Sequence, residues 1–228
     1  SEYTAGIFHR HLVPVRVILN GLDLGEFVDC STRGMELRKK LGIDLENPLV
    51  GMVGSLASAM KEHGLFLEAV KRVKDRIAGC RFVVFGGSSD LSRTEYTRSL
   101  RKKAGELGLQ DELVWAEHVE DIPARMGCLD LLVHPTSGEG SGRVVMEAMA
   151  AGKPVVVVRS GGVQELVRQG ETGLQVEPGD AQALAEAVLE LLVDRNRREE
   201  MGEYARRYAQ EHFSHARTAA EIARVYRE

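Results

Sequence analysis

Residues 138–156 constrain this chain more than any other stretch. They follow an apolar run, Leu131-Leu132-Val133, and open with Gly138-Glu139-Gly140-Ser141-Gly142. An apolar segment runs on to Ala151, Gly152 stops it, and Pro154 leads into Val155–Val158. The order is strand, glycine turn, helix, strand. In such a unit the helix N-terminus aims free N–H groups and a positive dipole end beyond the strand's carboxyl end. Gly140 and Gly142 let an anion approach the backbone closely. Glu139 and Glu147 flank that place. A carboxylate repels a phosphate but accepts hydrogen bonds from hydroxyls of a sugar or ribose. An anion site beside a polyol site points to a nucleotide sugar. The plain alternative is one exposed acid in a loop and one on the wet face of a helix. Around Glu147, however, Val144, Val145, Met146, Ala148 and Met149 leave little wet face.

The rest of the chain supports a regular alternation of strands and helices. Apolar runs at 49–53, 81–85, 113–115, 131–134, 155–158 and 173–176 read as strands. Helical patterns fall at 61–77, 93–107, 121–126 and from Gly161-Gly162 onward. Short buried strands alternating with helices imply parallel pairing and right-handed crossovers. The fold class is therefore α/β, a Rossmann-like doubly wound parallel sheet. Its ligand should lie outside the carboxyl ends of the strands, where the loops after Val53, Phe85, Trp115, His134 and Val158 gather. Residues 1–28 read as a linker segment, with a β-rich run at 15–19 and a turn at Asn20-Gly21-Leu22-Asp23. A helix is expected over 29–42. Extra C-terminal helices are expected over 181–193, 195–211 and 214–226, so the main domain is drawn as 29–205 and a last helical segment as 206–228.

Composition narrows the function. A net charge of −4 over 228 residues gives no basic footprint for nucleic acid. No apolar run is long enough to span a bilayer, and no signal peptide is visible. Cys30, Cys80 and Cys128 are few, odd in number and outside any metal-ligand spacing, as in reduced thiols of a cytoplasmic protein. No metal cluster, Walker A loop or nucleophile elbow is present. Lys61 follows the loop after the first strand, at an expected helix start where a cation opposes the dipole. A phosphate between it and the glycine loop would resolve the conflict, although most lysines are simply solvated. Gly161-Gly162 before Glu165 is either a second ligand-facing helix start or a tight turn. His134 is either a core histidine or a hydrogen-bond donor.

These motifs together resemble glycosyltransferase family 4, the group 1 transferases of GT-B fold. The resemblance is carried by Asn20-Gly21-Leu22-Asp23, Val53-Gly54 with Lys61, residues 139–150, Gly152-Lys153-Pro154-Val155-Val156, Gly161-Gly162 with Glu165, Thr172-Gly173-Leu174 and Pro178-Gly179-Asp180. It covers nearly the whole chain, but only as the carboxyl-terminal, donor-binding half of such an enzyme. The resemblance implies a retaining transfer of sugar from a nucleoside diphosphate sugar, with no metal or other cofactor. The acceptor, a sugar, lipid or other small molecule, would be held by a missing N-terminal domain. Peripheral membrane association belongs to the same expectation for the full protein. By position, Glu139 would bond sugar hydroxyls and Glu147 the ribose. The amides of Gly140, Ser141, Gly142 and Arg143 would hold the diphosphate. Lys61 would stabilise the leaving nucleotide, with Gly54 and Ser55 beside it. Base contacts would come from backbone near Gly86 and at His118 and Val119. The chain departs from the family pattern at Ser55, where an Arg is usual, at Ser141, often a large apolar residue, and at Ala116, often Gly. A hydroxyl cannot replace a bidentate guanidinium, which leaves Arg143 or Arg159 to supply the charge. A sugar-nucleotide 2-epimerase of the same fold and a degenerate, non-catalytic binding module are the alternatives.

Overall fold

A computed structural model describes residues 1–9, 15–57, 59–87, 94–117 and 119–227. Six strands, β1 (Leu49–Val53), β2 (Arg81–Gly87), β3 (Leu113–Glu117), β4 (Leu131–His134), β5 (Val155–Val158) and β6 (Gly173–Val176), form one sheet in the order β3-β2-β1-β4-β5-β6. Every pairing is parallel, with Leu49 opposite Arg81 and Val50 opposite Leu131. The chain order reverses between β1 and β4. That is the topological switch point, where an open parallel sheet leaves a crevice at its carboxyl edge.

Both faces of the sheet are covered, so the strands read as continuous apolar runs rather than alternating ones. Successive residues of β1 feed opposite cores. Leu49 and Val53 join one cluster, with α2 (Cys30–Lys40), α5 (Ile122–Gly127) and α6 (Arg143–Ala150). Val50 and Met52 join the other, with α3 (His63–Lys74), α4 (Glu95–Glu106) and α8 (Ala181–Val193). Side-chain caps mark several helix starts. Thr94, Asp121, Asp180 and Asp194 each accept a backbone N–H from the first turn that follows.

The element order expected from sequence is present, with differences at the ends. Helix α1 (Glu2–His9) lies inside the expected linker, and 15–19 forms no strand. The segment 15–19 pairs with no strand of the sheet. Instead Leu22 bridges to Ser214, with Leu22 N donating to Phe213 O at 2.7 Å. The boundary drawn at 205/206 falls inside α9 (Arg195–His212), whose backbone bonds run on to Phe213. Ser214 then caps α10 (His215–Val225). The helix expected over 61–77 is α3 and starts only at His63, because Glu62 before it adopts a left-handed φ of 53°. Ser88 and Ser89 of the loop after β2, the expected helix start at Arg93, and His118 lie outside the described residues. The four-residue α7 (Val163–Leu166) follows Gly161-Gly162.

Candidate functional site

Lys61 and Glu139 meet across the switch point. Lys61 sits in a short 3-10 turn after β1, at residues Ala59–Lys61, rather than at the start of α3. Glu139 follows β4. The Lys61 ammonium donates to Glu139 Oε2 at 2.8 Å. The position where the sequence suggested a phosphate beside Lys61 is thus filled by the Glu139 carboxylate. His134, buried at the end of β4, brings its Nε2 to 3.0 Å from the same oxygen. That approach lies off the N–H axis, so it is not a well-formed hydrogen bond, and Nε2 counts as unbonded. The His134 contact, and behind it Lys61, outweigh burial and hold the Glu139 carboxyl down to about 2.

The glycine loop is held by backbone. Glu139 O accepts from Gly162 N at 2.8 Å. Gly161 has a φ of 58°, and a Cβ there would stand 2.4 Å from Glu139 O. Gly142 caps α6 with a φ of 54°, and a Cβ on it would reach Val163 Cγ2 at 2.9 Å. Only glycine fits these two places. The loops after β4 and β5 therefore lie backbone on backbone. The amides of Gly140, Ser141, Gly142 and Arg143 donate to no described residue, as at the first turn of any helix, where free N–H groups suit an anion. Thr136, almost fully buried at the head of this loop, has an unbonded Oγ1.

Glu147 is 5% exposed on α6. Its Oε1 accepts from Arg143 Nε at 2.9 Å. Burial raises its pKa, opposed by Arg143 and by the nearby Arg125. The wet-face reading of Glu147 is thereby excluded. Ser55 is exposed and its Oγ accepts from Ala57 N at 3.2 Å, so it brings no charge to the site. Gly54 is buried, with its N–H donating to Phe85 O at 2.9 Å. Arg159 pairs with Glu177 at 3.1 Å, as Arg143 does with Glu147, so both candidate arginines are ion-paired. Val119 is half-buried after β3.

Several participants escape sequence reasoning. His63 is fully buried, with Nε2 3.3 Å from Gly54 O and Nδ1 3.3 Å from the Tyr96 hydroxyl. Burial pushes its pKa down, so it props the Gly54 turn as a neutral ring. Glu62 accepts a hydrogen bond from Ser137, tying the Lys61 turn to the glycine loop. Glu165, already singled out with Gly161-Gly162, receives the Glu2 and Tyr3 amides of α1, each at 2.8 Å, a contact the sequence does not announce. The signal for His63 was its place two residues after Lys61. None of the other contacts has a sequence signature.

A cavity of about 370 Å³ opens beside Glu139, Gly140, Ser141 and Gly162, with Asn20 and Thr4 opposite. A polar cleft of about 320 Å³ lies at the other end of the sheet around Asp130 and Lys153. Asp130 there is spent on Arg38, at 2.6 Å, and on the Leu49 amide, at 2.7 Å, which is a structural role. Among the described residues no group of three or more His, Cys, Asp or Glu side chains gathers as a metal site. None of their helices is long and apolar enough to cross a membrane.

Comparison with known proteins agrees with this geometry. The pattern of the family described as glycosyl transferases group 1 matches residues 35–208. The D-inositol 3-phosphate glycosyltransferase of Corynebacterium urealyticum is 32% identical over 225 residues, 96% of this chain and 52% of its own length. A GDP-mannose-dependent alpha-(1-6)-phosphatidylinositol monomannoside mannosyltransferase of Mycobacterium tuberculosis is 32% identical over 98% of this chain and 59% of its own. The chain thus spans between half and three fifths of these relatives' length. Among solved structures, HepE of Anabaena in complex with UDP superposes with a TM-score of 0.85 at 28% identity, over 92% of this chain and 57% of that one. A C-terminal domain of a group 1 family protein from Francisella tularensis shares the fold, with a TM-score of 0.73 at 22% identity over 86% of this chain and all of that domain. With the sheet order, the glycine loop and the paired acids in place, the chain belongs to the group 1 glycosyltransferases and carries the Rossmann-like fold seen in one half of their GT-B architecture.

Proposed function

We propose that this chain is the donor-binding half of a retaining glycosyltransferase that uses a nucleoside diphosphate sugar. One observation carries the reading. Lys61 reaches the mouth of the glycine loop across the switch point and is held there by Glu139 at 2.8 Å. The loop amides stand open beside it. A diphosphate entering this place meets the Lys61 ammonium, the amides of 140–143 and the dipole of α6. It draws Lys61 away from Glu139 and frees the Glu139 carboxylate to accept hydrogen bonds from the sugar. Glu147, one turn into α6, accepts from the ribose hydroxyls. In the reaction the acceptor hydroxyl oxygen bonds the sugar carbon as the bond from that carbon to the diphosphate oxygen breaks; the diphosphate leaves with the electron pair and takes up the hydroxyl proton. Lys61 and the α6 N-terminus stabilise the charge that builds on it. The acceptor is a hydroxyl compound held mainly by residues outside this chain. Relatives are named for inositol phosphate and phosphatidylinositol acceptors, which fits a polyol.

The test is calorimetric titration with UDP, GDP and ADP. HepE binds UDP and a mycobacterial relative is GDP-mannose-dependent, so the base is what this experiment reads. One nucleotide should bind, and Lys61→Ala and Glu147→Ala should each weaken it at least tenfold. A wild-type chain that binds none of the three sinks the proposal. A second reading has one observation behind it: Ser55, where the family pattern usually has an Arg, is exposed and uncharged. A longer protein that binds nucleotide but transfers no sugar would favour a non-catalytic binding module.

A further inference from the structure

Among the described residues, Glu62 is the one non-glycine residue with a positive φ, 53°. A left-handed backbone strains any residue with a Cβ and suits glycine. Such strain persists only where the surroundings hold it in place, and it gathers at functional sites. Here His63, the next residue, is fully buried against Gly54 O, and Phe66, one turn on, is fully buried as well. Both fix the start of α3. Glu62 O opens that helix, accepting from Leu65 N at 3.0 Å and from Phe66 N at 3.2 Å. The Glu62 carboxylate, however, caps nothing in α3. It turns to the other side of the switch point, where its Oε1 accepts a hydrogen bond from the Ser137 hydroxyl. Glu62 directly follows Lys61, and Ser137 stands two residues before Glu139. Two contacts therefore join the turn after β1 to the loop after β4: Lys61 with Glu139, and Glu62 with Ser137.

The two contacts respond differently to an anion. A diphosphate that draws Lys61 away from Glu139 breaks the first. The second holds no cation for an anion to attract. We propose that Glu62 is a positioning residue for Lys61: its bond to Ser137 keeps the Lys61 turn docked on the glycine loop while the ammonium changes partner from Glu139 to the diphosphate. This rests on the reading of Lys61 as the diphosphate lysine. A glycine at position 62 would relieve the backbone and lose the clasp, which accounts for a strained glutamate at that place.

The experiment has a ligand-free arm and a nucleotide arm. In the empty chain, urea unfolding of Lys61→Ala, Ser137→Ala and the double variant reads whether the two contacts support each other. The double loss should be smaller than the sum of the single losses, because each contact holds the partners of the other in place. Additive losses overturn the proposal, whether or not a nucleotide binds. In the second arm, calorimetry follows whichever of UDP, GDP and ADP binds. Glu62→Gly and Glu62→Ala should each weaken it roughly threefold to tenfold, the range for one hydrogen bond. The glycine variant should nevertheless melt roughly 2–4 °C above the alanine one, so that affinity follows the carboxylate and not the backbone. Glu62→Gln keeps an oxygen to accept from Ser137 and should bind nearly as the parent does. In a Lys61→Ala background Glu62→Gly should change affinity little, since it acts through the ammonium. Unchanged affinity in Glu62→Gly, a full further loss on top of Lys61→Ala, or no rescue by glutamine each overturns the proposal. If the position 62 variants fail to fold, Ser137→Ala removes the same bond without touching the strained backbone and should show the same loss of affinity. A parent chain that binds no nucleotide sinks the donor-site reading, and the urea arm then still decides whether Glu62 holds the Lys61 turn.

Discussion

Glu139 and Glu147 are eight residues apart, yet their surroundings push them in opposite directions. The His134 contact, followed by Lys61, keeps Glu139 ionised down to about 2, against 4.5 for an ordinary glutamate. A carboxyl depressed in the folded state takes up its proton more readily when unfolded. Its contribution to stability is therefore complete above pH 4.5 and lost as pH falls toward 2, about 3 kcal/mol in all. Urea melts between pH 7 and 2.5 should show this loss, and Glu139→Gln should flatten it. Parallel profiles for the two proteins would show that the carboxyl is not linked to folding. Glu147 is raised by burial, so the fold disfavours its charge. Above its unfolded pKa it therefore subtracts from stability. Glu147→Gln should melt higher than the parent at pH 7 without nucleotide and lose nucleotide affinity. A variant that melts lower would mean the Arg143 pairing outweighs the burial cost. On the proposed function, Glu147 serves the ligand at the expense of the empty fold.

At the level of elements, the loops after β4 and β5 form a single unit, and Gly161 is the joint. An alanine there meets a left-handed φ and a carbonyl at 2.4 Å. Gly170 has a similar φ, 77°, but nothing within 4 Å of its missing Cβ. Gly170→Ala should cost about 1 kcal/mol, the price of the backbone alone. Gly161→Ala should cost at least about 2 kcal/mol and shift the glycine loop, lowering Tm by roughly 4–8 °C and weakening nucleotide binding. Equal losses in the two variants would show that the loops do not bear on each other. This joint also shows what a sequence conceals. The strands were legible because runs such as Val155–Val158 are apolar throughout, and helix starts such as Ser214 and Asp180 carry their own caps. The glycine loop and its acids were legible as a local pattern. The Lys61–Glu139 pair joins residues 78 apart and exists only because β4 lies beside β1 in the sheet. Helix α1 has no apolar stripe to announce it.

Across the whole molecule, one sheet serves two cores. Val133 and Val156 face one cluster while Leu132, Val155 and Val157 face the other. Neither core can melt without stripping the strands from its counterpart, so unfolding should be a single transition. Trp115 on β3 reports from the edge of the sheet, and far-UV circular dichroism reports from all the helices. The two melts should coincide, and so should those of Phe66→Ala, a fully buried ring on α3 whose loss costs about 3–5 kcal/mol. The proposed nucleotide site draws on the loop after β1 on one side of the switch point and on those after β4 and β5 on the other. Ligand bound there contacts both halves of the sheet, so its binding energy should protect the whole cooperative unit rather than one loop. At a hundred times its dissociation constant a nucleotide adds about 2.7 kcal/mol, which for a chain of this size raises Tm by roughly 5–10 °C. Trp115 fluorescence and circular dichroism should move up together by that amount, and Phe66→Ala should show the same increment from its lower starting point. A shift seen by only one probe would mean that the two halves of the sheet unfold separately. The site would then belong to one half alone, and the bridge from Lys61 to Glu139 would have no energetic role in holding the ligand.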